Sequence, residues 1–150
     1  MDLILWRHAE AEAGEPDLGR RLTAKGIKQA ERVAAWLDSH LPDTTRVLVS
    51  PADRAQQTAL ALKRKFRVVP ELAPGAAPST LLGVAGWPDS REPVLVVGHQ
   101  PTLGEVSALL LAGDPLPWSM RKGAVWWLSN RVRDGNAAVV LKVAIGPDFV

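Results

Sequence analysis

Apolar and polar positions alternate along this chain in two rhythms, and each change of rhythm marks an element. Leu3-Ile4-Leu5-Trp6 is an unbroken apolar run that stops abruptly at Arg7-His8-Ala9-Glu10. A run of this kind suits a central parallel strand covered on both faces. From Ala11 to Arg21 the pattern is lost, and Gly14, Pro16 and Gly19 predict a loop over the strand end. Thr23 then stands as an N-cap with Leu22 and Ile27 as a hydrophobic staple, and Ile27, Ala30, Ala34 and Leu37 recur at helical spacing toward Ser39.

Val47-Leu48-Val49 reads as a second strand, ending at Ser50-Pro51-Ala52-Asp53-Arg54. Ser50 is placed to cap a helix, Pro51 to open it and Asp53 to return to the cap's amide, with Ala52, Ala55, Ala59 and Leu62 as the buried stripe and Arg54 in the first turn. Phe66 to Val69 predicts a third short strand, closed by Pro70 and followed by Glu71. Prolines and glycines break the stretch from Leu72 to Pro93, leaving one short helix near Ser79 to Val84. Val94-Leu95-Val96-Val97 is the strongest strand pattern; it ends in Gly98-His99-Gln100-Pro101, where Pro101 opens a helix carrying Leu103, Val106 and Leu110. Two extended segments, Ala124 to Leu128 and Ala137 to Val143, flank Asp134-Gly135 and predict a hairpin. Strands alternating with helices make one α/β domain over residues 1–150, a three-layer α/β/α sandwich with a mostly parallel sheet and an antiparallel edge.

Composition narrows the chemistry more than the fold. With 47% hydrophobic and 23% charged residues the chain is globular in character, and a net charge of +2 is too small to argue for nucleic acid. Lys63-Arg64-Lys65 is the one basic run and reads as the solvated end of a helix. The absence of cysteine excludes disulfides, thiolate metal sites and thiol nucleophiles; with three histidines there is no transition-metal cage to expect either, so no cofactor is expected. Neither a basic leader nor a long apolar core precedes the first strand, and a soluble, cytoplasmic protein without membrane contact is the expectation.

Three separate strands end in a basic group or feed one: Arg7 and His8, then Arg54, then His99. Open parallel sheets bind ligands beyond their strands' carboxyl ends. Two guanidiniums and two imidazoles around one point describe a site for a tetrahedral oxyanion, to which the amides opening the helix after Ser50 could add. No glycine-rich phosphate cradle is present, so nucleotide binding is not expected. Single members have plainer readings: Arg7-His8 alone is equally a strand cap with two basic loop groups. Trp6, pointing opposite to Arg7, is packing. One of Trp126 and Trp127 faces the core and the other the opposite face, an aromatic recognition surface being the alternative. His40 reads as a charge partner for a helix C-terminus, and Glu10 and Glu12 as solvent-facing loop groups.

Arg7-His8-Ala9 after a first strand, Ser50-Pro51-Ala52-Asp53-Arg54-Ala55-Gln56-Gln57-Thr58-Ala59 and Gly98-His99-Gln100-Pro101 together resemble the histidine phosphatase superfamily. Within it the chain most resembles the short phosphohistidine phosphatases of the SixA type, and Leu22-Thr23-Ala24-Lys25-Gly26 extends the likeness over nearly the whole chain. The resemblance implies a phosphoglycerate mutase-like fold and metal-independent nucleophilic catalysis. His8 would attack phosphorus and form a phosphohistidine intermediate, Arg7, Arg54 and His99 would hold the phosphoryl oxygens, and water would release phosphate. The usual glycine after the catalytic histidine is Ala9 here, acceptable if that backbone keeps a negative φ. Many relatives use an acid to protonate the leaving group; Glu71 is the candidate, though it is equally a solvated loop carboxylate. The short span between Arg54 and His99 leaves little material for a lid, so an open site that receives a phosphohistidine on another protein is expected. The alternatives are a small-molecule phosphomonoesterase, a non-catalytic phosphate- or phosphohistidine-binding module, and a phosphoglycerate-type mutase, the last disfavoured by the missing lid.

Overall fold

The opening apolar run forms β1 (Asp2–Arg7), and all four of Leu3 to Trp6 are fully buried. The structure is a computed structural model that describes residues 1–150. After β1 come α1 (Ala24–His40), β2 (Arg46–Val49), α2 (Asp53–Leu60), β3 (Arg67–Val68), α3 (Pro78–Ala85), β4 (Val94–Gly98), α4 (Thr102–Ala112), β5 (Val125–Arg133) and β6 (Asn136–Ile145). The six strands form one sheet in the order β3-β2-β4-β1-β5-β6. β3, β2, β4 and β1 pair in parallel, whereas β5 and β6 add an antiparallel hairpin. No helix is long and apolar enough to cross a membrane.

Alternation along the strands divides the core into two layers. Ile4, Trp6, Val47, Val49, Leu95 and Val97 face Val33, Ala34 and Leu37 of α1 and Ala55 and Ala59 of α2. Leu3, Leu5, Leu48, Val94 and Val96 face Leu81 of α3 and Leu103 and Val106 of α4 on the other side. The expected α/β/α sandwich is therefore the observed one. Trp6 packs in the first layer and donates its indole N–H to the Gly123 carbonyl at 3.2 Å. Trp127 joins the same layer and Trp126 packs against the other, so both rings are used by the core.

Several local readings need correction. Thr23 does cap α1, its hydroxyl accepting from the Gly26 amide at 2.9 Å, but Ile27 is exposed and the buried stripe runs through Gly26, Ala30, Val33, Ala34 and Leu37. The helix is rolled because its first turn lies against the loop after β1: a Cβ on Gly26 would stand 2.0 Å from the Glu10 carbonyl oxygen. Ser50 does not cap α2 as expected; the helix begins two residues later, after Ala52. Lys63-Arg64-Lys65 is not simply solvated, since Arg64 binds Asp38 Oδ1 and the carbonyls of Leu41 and Pro42, closing the C-terminal end of α1. His40, in the last turn of α1, stacks on Trp36 with ring centroids 4.3 Å apart and shares its Nδ1 with the Trp36 carbonyl. The hairpin strands run further than their patterns predicted, because their distal residues, Arg131 to Arg133 of β5 and Asn136 to Ala138 of β6, are exposed on both faces and carry no alternation.

Candidate active site

Adjacent strands carry the site. β4 lies between β1 and β2, with Arg7 in register with Gly98 and Val49 with Val97. The His8 amide donates to the Gly98 carbonyl and the Ser50 amide to the Val97 carbonyl, both at 3.1 Å, so the residues just past the three strands leave the sheet at nearly one level. His8 follows β1, His99 follows β4, and Arg54 enters from the first turn of α2 after β2. The structure thus brings together the four groups expected from the sequence. His8, Arg54 and His99 are only 7%, 4% and 4% exposed, and Arg7 is half-buried.

Each imidazole is held at one nitrogen. His8 Nδ1 lies 2.8 Å from the Ala9 carbonyl oxygen, which can only accept; Nδ1 therefore carries the hydrogen, and the lone pair of the neutral ring is on Nε2. That lone pair faces Arg54, whose Nε stands 3.4 Å away. Ala9 is itself fixed, its amide donating to Thr58 Oγ1 at 3.1 Å while Thr58 donates to the Arg54 carbonyl at 2.8 Å. Ala9 does not adopt positive φ, so its Cβ is accepted without backbone strain. His99 Nε2 lies 2.7 Å from Ser50 Oγ. That oxygen also accepts from the Ala52 amide at 3.2 Å; in the tautomer in which the Ser50 hydroxyl donates to Nε2, the His99 proton is on Nδ1.

His99 Nδ1 and Arg7 Nε are the two buried side-chain nitrogens without a partner in the protein. Buried polar groups are almost always paired, and both of these belong to the same cluster, where the His8 and His99 ring centroids are 5.1 Å apart. Arg7 is oriented from its far end, Nη1 donating to the Met120 carbonyl at 2.7 Å. Electrostatics keep both rings neutral. Burial, aided by repulsion from Arg54, Arg7 and Arg20, pushes His8 down to about 4 against the opposing pull of the Ala9 hydrogen bond. Burial, with His8, Arg54 and Arg7 adding to it, takes His99 to about 3. No three His, Asp or Glu side chains converge anywhere in the chain, and the charge at this site comes from guanidiniums. A neutral imidazole lone pair, a fixed guanidinium edge and two unpaired buried nitrogens make an arrangement that can bind a tetrahedral oxyanion and attack its central atom.

Glu71 lies apart from this cluster in its bonding. It is exposed on the 3-10 turn Pro70–Leu72 after β3, and no hydrogen bond or ion pair ties it to the site. Sequence reasoning missed three contributors: Ser50, read as a helix cap; Asp17, whose carbonyl and Oδ2 accept from Arg54 Nη1 and Nη2 at 2.8 and 3.2 Å; and Arg20, which binds Asp17 Oδ1 at 3.1 Å. One signal was available. The stretch after β1 carries Glu10, Glu12, Glu15 and Asp17, and a buried Arg54 opposite that loop calls for a counter-charge. Glu10, read as solvent-facing, is partly buried and accepts from the Thr23 hydroxyl at 2.8 Å.

The fold agrees with comparisons to known proteins. The sequence model of the histidine phosphatase superfamily (branch 1) matches residues 3–76. The chain belongs to the histidine phosphatase superfamily. Its likeness within that family is to SixA. The phosphohistidine phosphatase SixA homolog of Haemophilus influenzae is 33% identical across 98% of this chain and 97% of its own length. Phosphohistidine phosphatase SixA of Escherichia coli is 32% identical over 78% of each chain. A solved structure of the protein histidine phosphatase SixA complexed with tungstate superposes with a TM-score of 0.78 at 26% identity, covering 99% of both chains.

Proposed function

We propose that this protein is a phosphohistidine phosphatase that hydrolyses phosphohistidine on another protein through a phosphorylated His8. The observation that carries the reading is the orientation of His8: its Nδ1 hydrogen is committed to Ala9, and its Nε2 lone pair is presented beside Arg54. Nε2 attacks phosphorus in line with the substrate nitrogen; the P–N bond to the leaving imidazole breaks as the new P–N bond forms. Water then attacks the phosphorylated His8 and releases phosphate, returning the ring to its neutral form. The side-on edge of Arg54, Arg7 Nε and His99 Nδ1 donate to the phosphoryl oxygens, meeting charge where it is spread in the transition state. Those two unpaired buried nitrogens support the reading, as does the tungstate, a tetrahedral oxyanion, held by the SixA relative.

A leaving imidazole departs more easily than an alkoxide, so a phosphohistidine substrate asks least of a general acid. Glu71 is retained as proton donor only for substrates with poorer leaving groups; what supports it is its place just past β3, at the end of the sheet where the strands deliver the site. The test is phosphate release from a phosphohistidine-bearing protein and from a phosphomonoester, with a metal chelator present, by wild type and His8→Ala. The expected result is chelator-insensitive release, faster from phosphohistidine, lost in His8→Ala, with labelled phosphate trapped on wild type alone on acid-free quenching. Appreciable turnover by His8→Ala would remove His8 as nucleophile. Tungstate binding without any turnover would leave a phosphate-binding module.

A further inference from the structure

The loop between β1 and α1 contributes a carboxylate that the reaction above does not use. A guanidinium has two edges of paired donors: an end-on edge from its two terminal nitrogens, and a side-on edge from Nε and one of them. Asp17 takes the end-on edge of Arg54 with two different oxygens, its main-chain carbonyl on Nη1 at 2.8 Å and its Oδ2 on Nη2 at 3.2 Å. The side-on edge is left toward the nucleophile, with Nε 3.4 Å from His8 Nε2. We propose that Asp17 is the positioning residue for Arg54, holding the guanidinium at its far edge so that the near edge meets the phosphoryl group at His8. This inference rests on the phosphatase reading.

Asp17 is itself fixed from behind. Its Oδ1 accepts from Arg20 Nη1 at 3.1 Å, and Arg20 Nε donates to the Glu12 carbonyl at 2.7 Å. A continuous polar chain thus runs from the Glu12 backbone through Arg20, Asp17 and Arg54 to His8. The 3-10 turn that carries Asp17, Asp17–Gly19, buries no residue, so these polar contacts rather than apolar packing seat it on α2. Asp17 is half exposed while the Arg54 side chain is 5% exposed; a pair of this kind is an inefficient way to stabilise a fold, but an efficient way to fix one long side chain. Because Asp17 and an oxyanion use different edges of Arg54, both can be bound at once, and Asp17 is a support rather than a competitor.

The test measures tungstate affinity by calorimetry, together with kcat and KM for phosphohistidine-bearing protein, in Asp17→Ala and Asp17→Asn. The same Asp17→Ala change is then made in an Arg54→Gln background, or in Arg54→Lys should the former fold poorly. Loss of alignment predicts that Asp17→Ala weakens tungstate about tenfold and lowers kcat roughly 10- to 100-fold, with a smaller change in KM and with Asp17→Asn intermediate. Without the Arg54 fork, Asp17→Ala should change tungstate affinity less than about twofold. Tighter tungstate binding in Asp17→Ala would mark Asp17 as a competitor and overturn the proposal. Equal losses in both backgrounds would do the same, showing an effect that does not pass through Arg54. Failure of the phosphatase reading appears separately, as the absence of His8-dependent turnover, and leaves the tungstate comparison readable.

Discussion

Two imidazoles buried among guanidiniums should stay neutral far below the pH at which free imidazole charges, and that difference is large enough to read in a rate. His8 is pushed down to about 4 where an unperturbed histidine has 6.5. At pH 5.5 about 97% of His8 is then the free base; an ordinary histidine would be only about 9% free base. Because attack requires the Nε2 lone pair, kcat/KM is expected to stay level from pH 8 to about 5 and to reach half its plateau near pH 4. The assay is initial phosphate release corrected for spontaneous hydrolysis, with the substrate's own ionisation measured separately and divided out. With three histidines in the chain, imidazole ¹⁵N spectra of wild type, His8→Ala and His99→Ala give an independent reading of the same rings. A one-proton fall in kcat/KM centred near 6.5, matched by titration of the His8 ring there, would refute this account of how burial and Arg54 prepare the nucleophile.

The same displacement ties stability to pH with a definite sign. The folded values, about 4 for His8 and about 3 for His99, lie below the 6.5 of an unperturbed histidine. Between those limits the unfolded chain binds protons that the folded chain refuses, so the stability present above pH 6.5 is lost as pH falls through the folded values. At about 1.4 kcal/mol per unit the pair could account for several kcal/mol, an upper bound because charging one ring opposes charging the other. Urea midpoints should accordingly drop between pH 7.5 and 4.5. Tungstate should narrow the drop, since a bound anion replaces the repulsion from Arg54 and Arg7 by attraction and raises both values in the complex.

Ser50→Ala removes the partner of His99 Nε2 and the acceptor of the Ala52 amide; about 1–3 kcal/mol of stability should be lost in urea titrations, and turnover should fall because the His99 tautomer is no longer pinned. Gly26→Ala drives a methyl to 2.0 Å from the Glu10 carbonyl oxygen; overpacking of this kind costs about 1–3 kcal/mol, and a thermal midpoint equal to wild type would show that the first turn of α1 is not seated as described.

What was legible in the sequence was whatever an apolar run could announce. β1 and β4 are buried on both faces, so their patterns are continuous and end sharply, and the polar residues just past each end, His8 and His99, stood out against them. Arg54 was placed by the same logic through the first turn of α2. What was missed depends on contacts between segments remote in sequence. Ser50 satisfied a local rule for helix capping, and nothing nearby could show that His99 would claim its hydroxyl. Ile27 fitted the helical stripe as well as Gly26 and Val33 do; the roll of α1 is decided by the Glu10 backbone pressing on its first turn, which hydrophobicity does not encode. Asp17 is one acid among several in a loop without periodicity, and only the position of Arg54 singles it out.

This division between legible and hidden residues follows how each group is held. His8, His99 and Ser50 hang from adjacent strands whose ends are aligned by main-chain hydrogen bonds, the His8 and Ser50 amides reaching the β4 carbonyls at 3.1 Å each. Little more than one or two side-chain torsions separates those groups from the rigid sheet. Arg54 has four torsions between its backbone and its guanidinium, and the sheet cannot set them. A group that must meet a reacting phosphoryl within tenths of an ångström, but is carried on a long stem, needs a second anchor at its far end. In this fold the anchor comes from the loop after β1, the same segment that leaves the nucleophile and turns back across α2. Orientation of the strongest phosphate-binding group is therefore assigned to the least packed part of the site, and substitutions in that loop should change catalysis well before they change the stability of the domain.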